Sequence, residues 1–344
     1  MIHPHPHIHL YAIGNALVDT EHHVSDEQLQ ALGIEKSRMT LIDAERRTEL
    51  LRLLDGQPGH RPNQRVGGGS AGNTVVALAQ LGGNGFYSCK VADDDLGDFY
   101  QRDLEQHGVA TNLNHTRPGP GQSGHCMVFV TPDAERSMCT FLGATATLDA
   151  SALHPKDIAK SRIYYMEGYL SASPSVLDAA LQGRAAAKAE GVALATTLSD
   201  VSMITFCRTG LEAMIGNDLD YLFCNEEEAQ AWTGLTQTAD LVDALSKLAG
   251  TVCMTRGPLG CVVIRGDRRD TVAAPKVRAV DTVGAGDMFA GAFFYAITHG
   301  HDAVAAARLA TAAASTVVAQ PGARLRTEQL HALREAWLQD AVAA

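Results

Sequence analysis

The chain has 344 residues, 46% of them hydrophobic, and 28 basic against 39 acidic side chains give a formal net charge of −11. That length exceeds what one small core organises and predicts a large domain carrying a smaller attachment. The acidic balance argues against a nucleic-acid or anionic-membrane surface and leaves small molecules as the expected partners.

The N-terminus lacks an apolar run of signal-peptide length behind a basic region, and no stretch approaches about 18 uninterrupted apolar residues, so a cytoplasmic protein is expected. Seven scattered cysteines without a CxxC pair read as reduced thiols, mostly in the core. At the start, His3, His5, His7 and His9 alternate; such a tract can chelate a divalent metal, or be a frayed tail or the wet face of an edge strand. Ile8 to Ile13 read as a strand, followed by the loop Gly14-Asn15-Ala16-Leu17-Val18-Asp19. Asp19 can accept two hydrogen bonds from vicinal hydroxyls, and reads equally as a solvated turn residue. Ser25 and Gln28 have the spacing of a capping box opening a short helix to Leu32. Met39 to Ile42 follow as a strand and Ala44 to Leu54 as a helix.

Val66-Gly67-Gly68-Gly69-Ser70-Ala71-Gly72-Asn73 opens the next helix, Thr74 to Leu81. Consecutive glycines let backbone approach a ligand closely, and Ser70 and Asn73 can exchange hydrogen bonds with hydroxyls; a merely flexible loop has the same composition. Phe86 to Val91 read as a strand and Leu96 to His107 as a helix. His125 to Thr131 and Ser137 to Leu142 pair as a hairpin across Pro132-Asp133-Ala134-Glu135-Arg136. Arg136 can swing onto a transferring phosphate or stay solvated.

From Arg162 strands and helices alternate: Ile163 to Met166, Ser175 to Ala189, Val192 to Thr196, Ile204 to Ile215, Tyr221 to Cys224, Glu226 to Thr233, Leu241 to Leu248, Thr251 to Met254 and Cys261 to Ile264. Such alternation predicts an α/β fold, a mostly parallel sheet with helices on both faces and ligands at the carboxyl ends of its strands. At two of those ends, Asn225-Glu226-Glu227-Glu228 sets an amide and a carboxylate one helical turn apart, and Thr255-Arg256-Gly257-Pro258-Leu259-Gly260 turns between strands. The first pair can order the water shell of Mg²⁺, and an acidic first turn also suits the helix dipole.

Asp281-Thr282-Val283-Gly284-Ala285-Gly286-Asp287-Met288-Phe289-Ala290-Gly291 is the most informative stretch. Val277 to Val280 read as an extended apolar segment, the glycines as an open turn and Met288 to Thr298 as a helix. A helix start offers unpaired N–H groups and positive partial charge to a phosphate in flight. A carboxylate in its first turn can accept the proton of an attacking hydroxyl. A Gly-rich turn with an Asp that stabilises the dipole has the same letters.

The two glycine-rich regions together resemble the signatures of the ribokinase-like, or PfkB, family of sugar and nucleoside kinases, over about Tyr11 to Arg324. The resemblance implies a three-layer sandwich with a mostly parallel central sheet, forming one kinase unit over residues 1–344. It also implies a small β-sheet lid built from about residues 11–42 and 117–142, whose closure would exclude water. Asp287 would be the base, beside the amides of Gly284, Ala285 and Gly286, with Arg136 as clamp. Asn15, Asp19, Gly68, Gly69 and Asn73 would hold the sugar. ATP would lie by Thr255, Gly257 and Gly260, with Mg²⁺ ordered through water by Asn225 and Glu228. Asp281 and the loop Gln320-Pro321-Gly322-Ala323 would suit a monovalent cation such as K⁺.

The combination of Gly14-Asn15…Asp19, Met39-Thr40-Leu41-Ile42-Asp43, Thr131 to Arg136 and Thr197-Leu198-Ser199-Asp200 is similar to bacterial adenosine and inosine-guanosine kinases. Met39, Leu41, Tyr169 and Leu170 would wall a purine, and serve equally as core. The expectation is an ATP-dependent purine nucleoside kinase of purine salvage, adenosine first, as a monomer or homodimer. An inosine-guanosine kinase, a sugar kinase of the ribokinase or fructokinase type, and a non-catalytic nucleoside or sugar sensor are the alternatives. Retention of Asp287 argues against the sensor. The run Gly67 to Gly72 lacks the G-x-G-x-x-G spacing of a dinucleotide fold.

Overall fold

The computed structural model describes residues 8–56, 62, 64–114, 121–133 and 135–343. His3, His5 and His7, the expected start of the second lid piece at Arg117, and Ala134 of the hairpin lie outside the described residues. Fourteen strands are present among those described. They are β1 (Ile8–Ile13), β2 (Leu17–His23), β3 (Met39–Leu41), β4 (Gln64–Gly68), β5 (Gly85–Ser88), β6 (Ala110–Thr111) and β7 (Gly124–Val130), then β8 (Arg136–Phe141), β9 (Ser161–Met166), β10 (Ala193–Thr197), β11 (Tyr221–Asn225), β12 (Thr251–Thr255), β13 (Cys261–Arg265) and β14 (Arg268–Val272).

Nine of them form the large sheet in the order β14-β13-β12-β11-β10-β9-β1-β5-β6. Strands from β12 to β6 in that order are parallel, and the β12–β13 and β13–β14 pairs are antiparallel. One apolar cluster fills the side covered by the helices Ser70–Gln80, Ala285–Thr298 and Ala303–Val317, and a second the side covered by Pro174–Ala189 and Arg208–Ile215. This is the ribokinase-like α/β arrangement, with helices on both faces of the sheet. From β1 the chain builds outward through β5 and β6, then returns to add β9, β10 and onward on the opposite side. The direction of growth therefore reverses between β1 and β9, where an open α/β sheet leaves a crevice for ligands.

The remaining strands form a five-stranded sheet, β3-β8-β7-β2-β4. Its membership differs from the sequence expectation at both ends of the first piece: Tyr11 to Ile13 belong to β1 of the large sheet, and Gln64–Gly68 is an added edge strand. Side chains alternate across a strand. On one face Met127, Phe129 and Cys139 pack under Leu29, Leu50 and Leu54 of two short helices. Registers of Asp19 with Cys126, Cys126 with Thr140 and Leu41 with Thr140 put Asp19, Thr140, Leu41 and Met39 on the other face. Met39 and Leu41 are 48% and 60% exposed there, so neither is the core residue its hydrophobicity allowed.

Other expectations also change. Residues 273–280 form no strand, and Val277 and Val280 are exposed. The helix expected over Ile204 to Ile215 is two, Val201–Phe206 and Arg208–Ile215. His9 is not a wet tract residue: its Nδ1 accepts from the Asn84 amide at 2.8 Å, its ring stacks on His299, and burial drives its pKa down to about 4. The seven cysteines are free thiols, all buried except the half-buried Cys207.

Candidate active site

The crevice between β1 and β9 is closed by a residue the sequence analysis passed over. Glu167 follows β9, is 0% exposed, and accepts the Asn15 amide on Oε1 and the Ala71 amide on Oε2, each at 2.7 Å. One carboxylate thus joins the loop after β1 to the start of helix Ser70–Gln80. Burial raises its pKa to about 7, against the two amide bonds that favour the charged form. The only sequence signal was an acid directly behind the apolar run Ile163 to Met166. The Asn15 side chain accepts from Thr145 at 3.4 Å, and the Ala16 amide donates to the same hydroxyl at 3.0 Å.

Asp19 projects from β2 against the glycine run. A methyl group on Gly68 would lie 2.6 Å from its carboxylate, so only glycine fits there. Gly69 then turns the chain into the helix at φ +88°. Burial lifts the Asp19 pKa to about 7; Arg324 and Arg136 pull it down and Asp287 pushes it up. Asp19 and Asp287 therefore sense each other across the crevice.

Asp287 stands in the first turn of the helix Ala285–Thr298. That helix crosses the large sheet with Phe294 edge-on to Tyr165 of β9 and Phe289 edge-on to Phe223 of β11, which sets its N-terminus over the crevice. Asp287 Oδ1 accepts from the Ser70 hydroxyl at 2.6 Å and Oδ2 from the Asn73 amide at 3.0 Å. The two glycine-rich segments are thereby bonded to each other. Burial raises the Asp287 pKa, opposed by Ser70, Asn73 and Arg324. Gly284 is the N-cap at φ +75°, and no side chain caps the helix. The three expected amides are not equivalent: that of Ala285 is used by the Thr282 carbonyl at 3.3 Å, whereas Gly286 borders open space.

Arg136 and Asp281 form one unit rather than two. Arg136 Nη1 donates to Asp281 Oδ2 at 2.9 Å, and its Nη2 lies 3.5 Å from Glu21. Asp281 is buried and also accepts the Gly322 amide at 2.9 Å and the Val283 amide at 3.0 Å. A guanidinium thus stands on the carboxylate expected to face a monovalent cation. This donor set does not fit such an ion.

Asn225 and Glu228 form a capping box. Asn225 Oδ1 accepts the Glu228 amide at 2.7 Å, and Glu228 accepts the Asn225 amide at 3.1 Å and the Asn225 side chain at 2.7 Å. Burial raises the Glu228 pKa to about 7, with Asp200 and Glu227 adding to it. Among the described residues no group of three or more His, Cys, Asp or Glu could hold a metal. A single buried carboxylate fits magnesium that arrives on nucleotide phosphates and keeps its waters.

Asn225 and Thr255 are register partners on β11 and β12, and Gly257 and Gly260 bound the short turn after β12, with φ of +52° and +92°. The β11 end is three strands from β1, about 14 Å at the usual spacing. Arg256 ties the turn to Glu226 at 3.0 Å.

A cavity of about 610 Å³ opens beside the small sheet, lined mainly by apolar groups including Leu41, Ile42, Phe141, Leu142 and Ala146. The 3₁₀ turn Gly143–Thr147 lines it on one side and holds Asn15 and Ala16 through Thr145. Leu41 is in its wall; Met39 and Tyr169 are not among the lining residues. Tyr169 instead donates to the Ser199 carbonyl at 3.5 Å, and burial together with Asp200, Asp287, Glu167 and Glu228 pushes its pKa up. Leu170, the fourth expected wall, is fully buried core.

Comparison with known proteins gives the same arrangement a family. Residues 38–330 match the pfkB family carbohydrate kinases. The chain belongs to that family. It is similar to a crystal structure of adenosine kinase from Sinorhizobium meliloti, with 34% identity, TM-score 0.84, and 95% of this chain and 98% of that one covered. A probable sugar kinase from Rhizobium etli is similar at 33% identity, TM-score 0.83, with 96% and 98% covered. Adenosine kinase from Schizophyllum commune is 27% identical over 318 residues, 85% of this chain and 90% of that one. As a pfkB kinase the chain is a phosphotransferase acting on a hydroxyl group with ATP. Among the described residues no helix is long and apolar enough to cross a membrane.

Proposed function

We propose that this kinase phosphorylates the 5′-hydroxyl of a purine nucleoside, adenosine first among them. The observation that carries the reading is the mainly apolar pocket of about 610 Å³ lined by Leu41 and by the 3₁₀ turn whose Thr145 bonds Asn15, a volume within the range of small-molecule sites. Leu41, exposed at its rim, gives a base an apolar wall. Asp19, on the same face of the small sheet, takes the ribose diol with Asn15, Gly68, Gly69 and Asn73. Similarity to adenosine kinases over nearly the whole chain supports the same choice.

In this reading Asp287 accepts the 5′-hydroxyl proton as the new O–P bond forms and the bond from the γ-phosphorus to the ADP oxygen breaks. The uncapped amides around Gly284 and Gly286 hold charge on the phosphoryl oxygens. Thr255, Gly257 and Gly260 seat the nucleotide. Asn225 and Glu228 would orient the waters of a magnesium ion arriving with the nucleotide, which would supply neutralisation of phosphate charge. The small sheet acts as the lid. When the lid closes, Arg136 keeps Asp281 on Nη1 and turns Nη2 from Glu21 to the phosphoryl group, and closure excludes water. The protein works in the cytoplasm in purine salvage, as a monomer or homodimer.

A second reading, a kinase of free sugars, is favoured by the similarity to the Rhizobium etli probable sugar kinase. A panel of adenosine, inosine, guanosine, ribose and fructose with ATP and Mg²⁺, read by ADP release, separates them. Turnover with adenosine well above ribose is expected. Turnover with sugars alone would replace the first reading by the second.

A further inference from the structure

One buried side chain reaches the reacting carboxylate without touching it. Arg324 lies in the loop behind Gly322 and its side chain is only 7% exposed. Its Nε donates to Asn73 Oδ1 at 2.8 Å, and its Nη1 to Asp103 Oδ2 at 2.6 Å. With the Asn73 oxygen held by the guanidinium, the amide nitrogen is left facing Asp287 Oδ2 at 3.0 Å. An arginine has donors only, so it fixes which end of that amide it meets. Gly67, the first glycine of the run, makes room for the device. A methyl group there would lie 2.2 Å from Asp103 Oδ2 and 3.2 Å from Arg324 Nη2. Nη2 is itself buried without a partner among the described residues, a cost that a purely structural ion pair would avoid.

We propose that Arg324 is a positioning residue for phosphoryl transfer: held by Asp103, it orients the Asn73 amide so that Asn73 and Ser70 together fix the Asp287 carboxylate for proton abstraction. The inference rests on the reading of Asp287 as the base. The groups that face Asp287 are Ser70 and Asn73 from one helix, Arg324 from its loop, Asp19 from β2, and Tyr165, Glu167 and Tyr169 at the end of β9. Arg324 is the only cation in that set and favours the ionised carboxylate, and the Asp287 charge in turn raises the pKa values of Asp19 and Glu167.

The test is the pH profile of kcat in Arg324→Gln and Arg324→Lys, with ATP binding and Tm measured alongside. Arg324→Gln should lower kcat by about 10², the scale of a misplaced reacting group. It should also move the acid limb to higher pH, because the removed cation had held Asp287 ionised. Arg324→Lys keeps the charge but loses the fork, so kcat should fall with the limb near its wild-type position. If Arg324→Gln does not fold, Arg324→Lys and Asp103→Asn are read instead, the latter expected to lower kcat by freeing the arginine. Guanidinium ion, and not sodium chloride of equal strength, should restore part of the rate of Arg324→Ala. Unchanged kcat with an unmoved acid limb in the variants would overturn the proposal. If Asp287→Asn itself turned over normally, the base assignment would fail first; if Asp287→Asn is dead and the Arg324 variants are normal, only this inference fails.

Discussion

The two ends of the crevice are built by different means. At the β11–β12 end, Asn225 and Glu228 satisfy each other within a single helical turn, and Thr255 to Gly260 turn between adjacent strands. At the β1–β9 end these carboxylates depend on residues far along the chain: Asp287 on Ser70 and Asn73, Glu167 on Asn15 and Ala71, Asp281 on Arg136. Local construction tolerates change, since a lost cap costs about 1 kcal/mol. Construction across elements concentrates desolvated charge, so a single substitution there should act on chemistry and on the packing of several elements together.

Substitutions at the two ends should therefore differ in kind. The largest effect is expected at Asp287. Asp287→Asn keeps shape but removes the proton acceptor, and kcat should fall by about 10² to 10⁴ while acceptor affinity measured by calorimetry persists. Near-normal turnover would remove Asp287 from the chemistry and blur the contrast between the ends.

Next is Asp19→Ala, which should weaken nucleoside binding by roughly 1.5 to 3 kcal/mol and leave ATP binding alone. A wild-type enzyme that handles 2′-deoxy and ribo acceptors equally would argue against a diol contact. Arg136→Ala should lower kcat less, with acceptor affinity nearly intact and ADP release without acceptor increased. Because it uncovers buried Asp281, the variant should also become sensitive to replacing Na⁺ by K⁺, whereas the wild type should be indifferent. A potassium-dependent wild type would show that the guanidinium does not replace the ion.

The smallest effect belongs to the β11–β12 end. Burial holds the Glu228 pKa near 7, above the 4.5 of a free glutamate. The folded state's preference for the neutral acid is fully present below 4.5 and is lost as pH rises through about 7. Glutamine cannot ionise and still closes the capping box. Glu228→Gln should match the wild type near pH 4 and gain on it by a few degrees in Tm as pH rises to 8. A difference independent of pH would mean that the charge is not desolvated there.

The same contrast explains what the sequence made legible. The helix Glu226–Thr233, the Ser25 capping box and the pair β12–β13 depend on neighbours a few residues away, and their letters announce them. Strand β2 reads as loop because the residues it buries include Thr20 and His22, whose side chains bond each other, so apolar alternation is broken. The two glycines of β4 conceal an edge strand that the neighbouring β2 recruits. Helix Ala303–Val317 is mostly alanine and helix Thr327–Ala343 has little apolar contrast, and both escaped the strand–helix alternation. Asp287, Asp19, Asn73 and Glu228 carry motif spacing, so the sequence alone offers them as candidates. Glu167 and Arg324 carry none, since their roles exist only once β9, the glycine run and the C-terminal loop have come together.

The most direct test of the account is a crystal structure with adenosine and a non-hydrolysable ATP analogue bound. The account predicts the purine in the cavity lined by Leu41 and Phe141, and the 5′-oxygen about 2.6 to 3.2 Å from an Asp287 carboxylate oxygen. A purine seated elsewhere, or a 5′-oxygen bonded to another group, would contradict it.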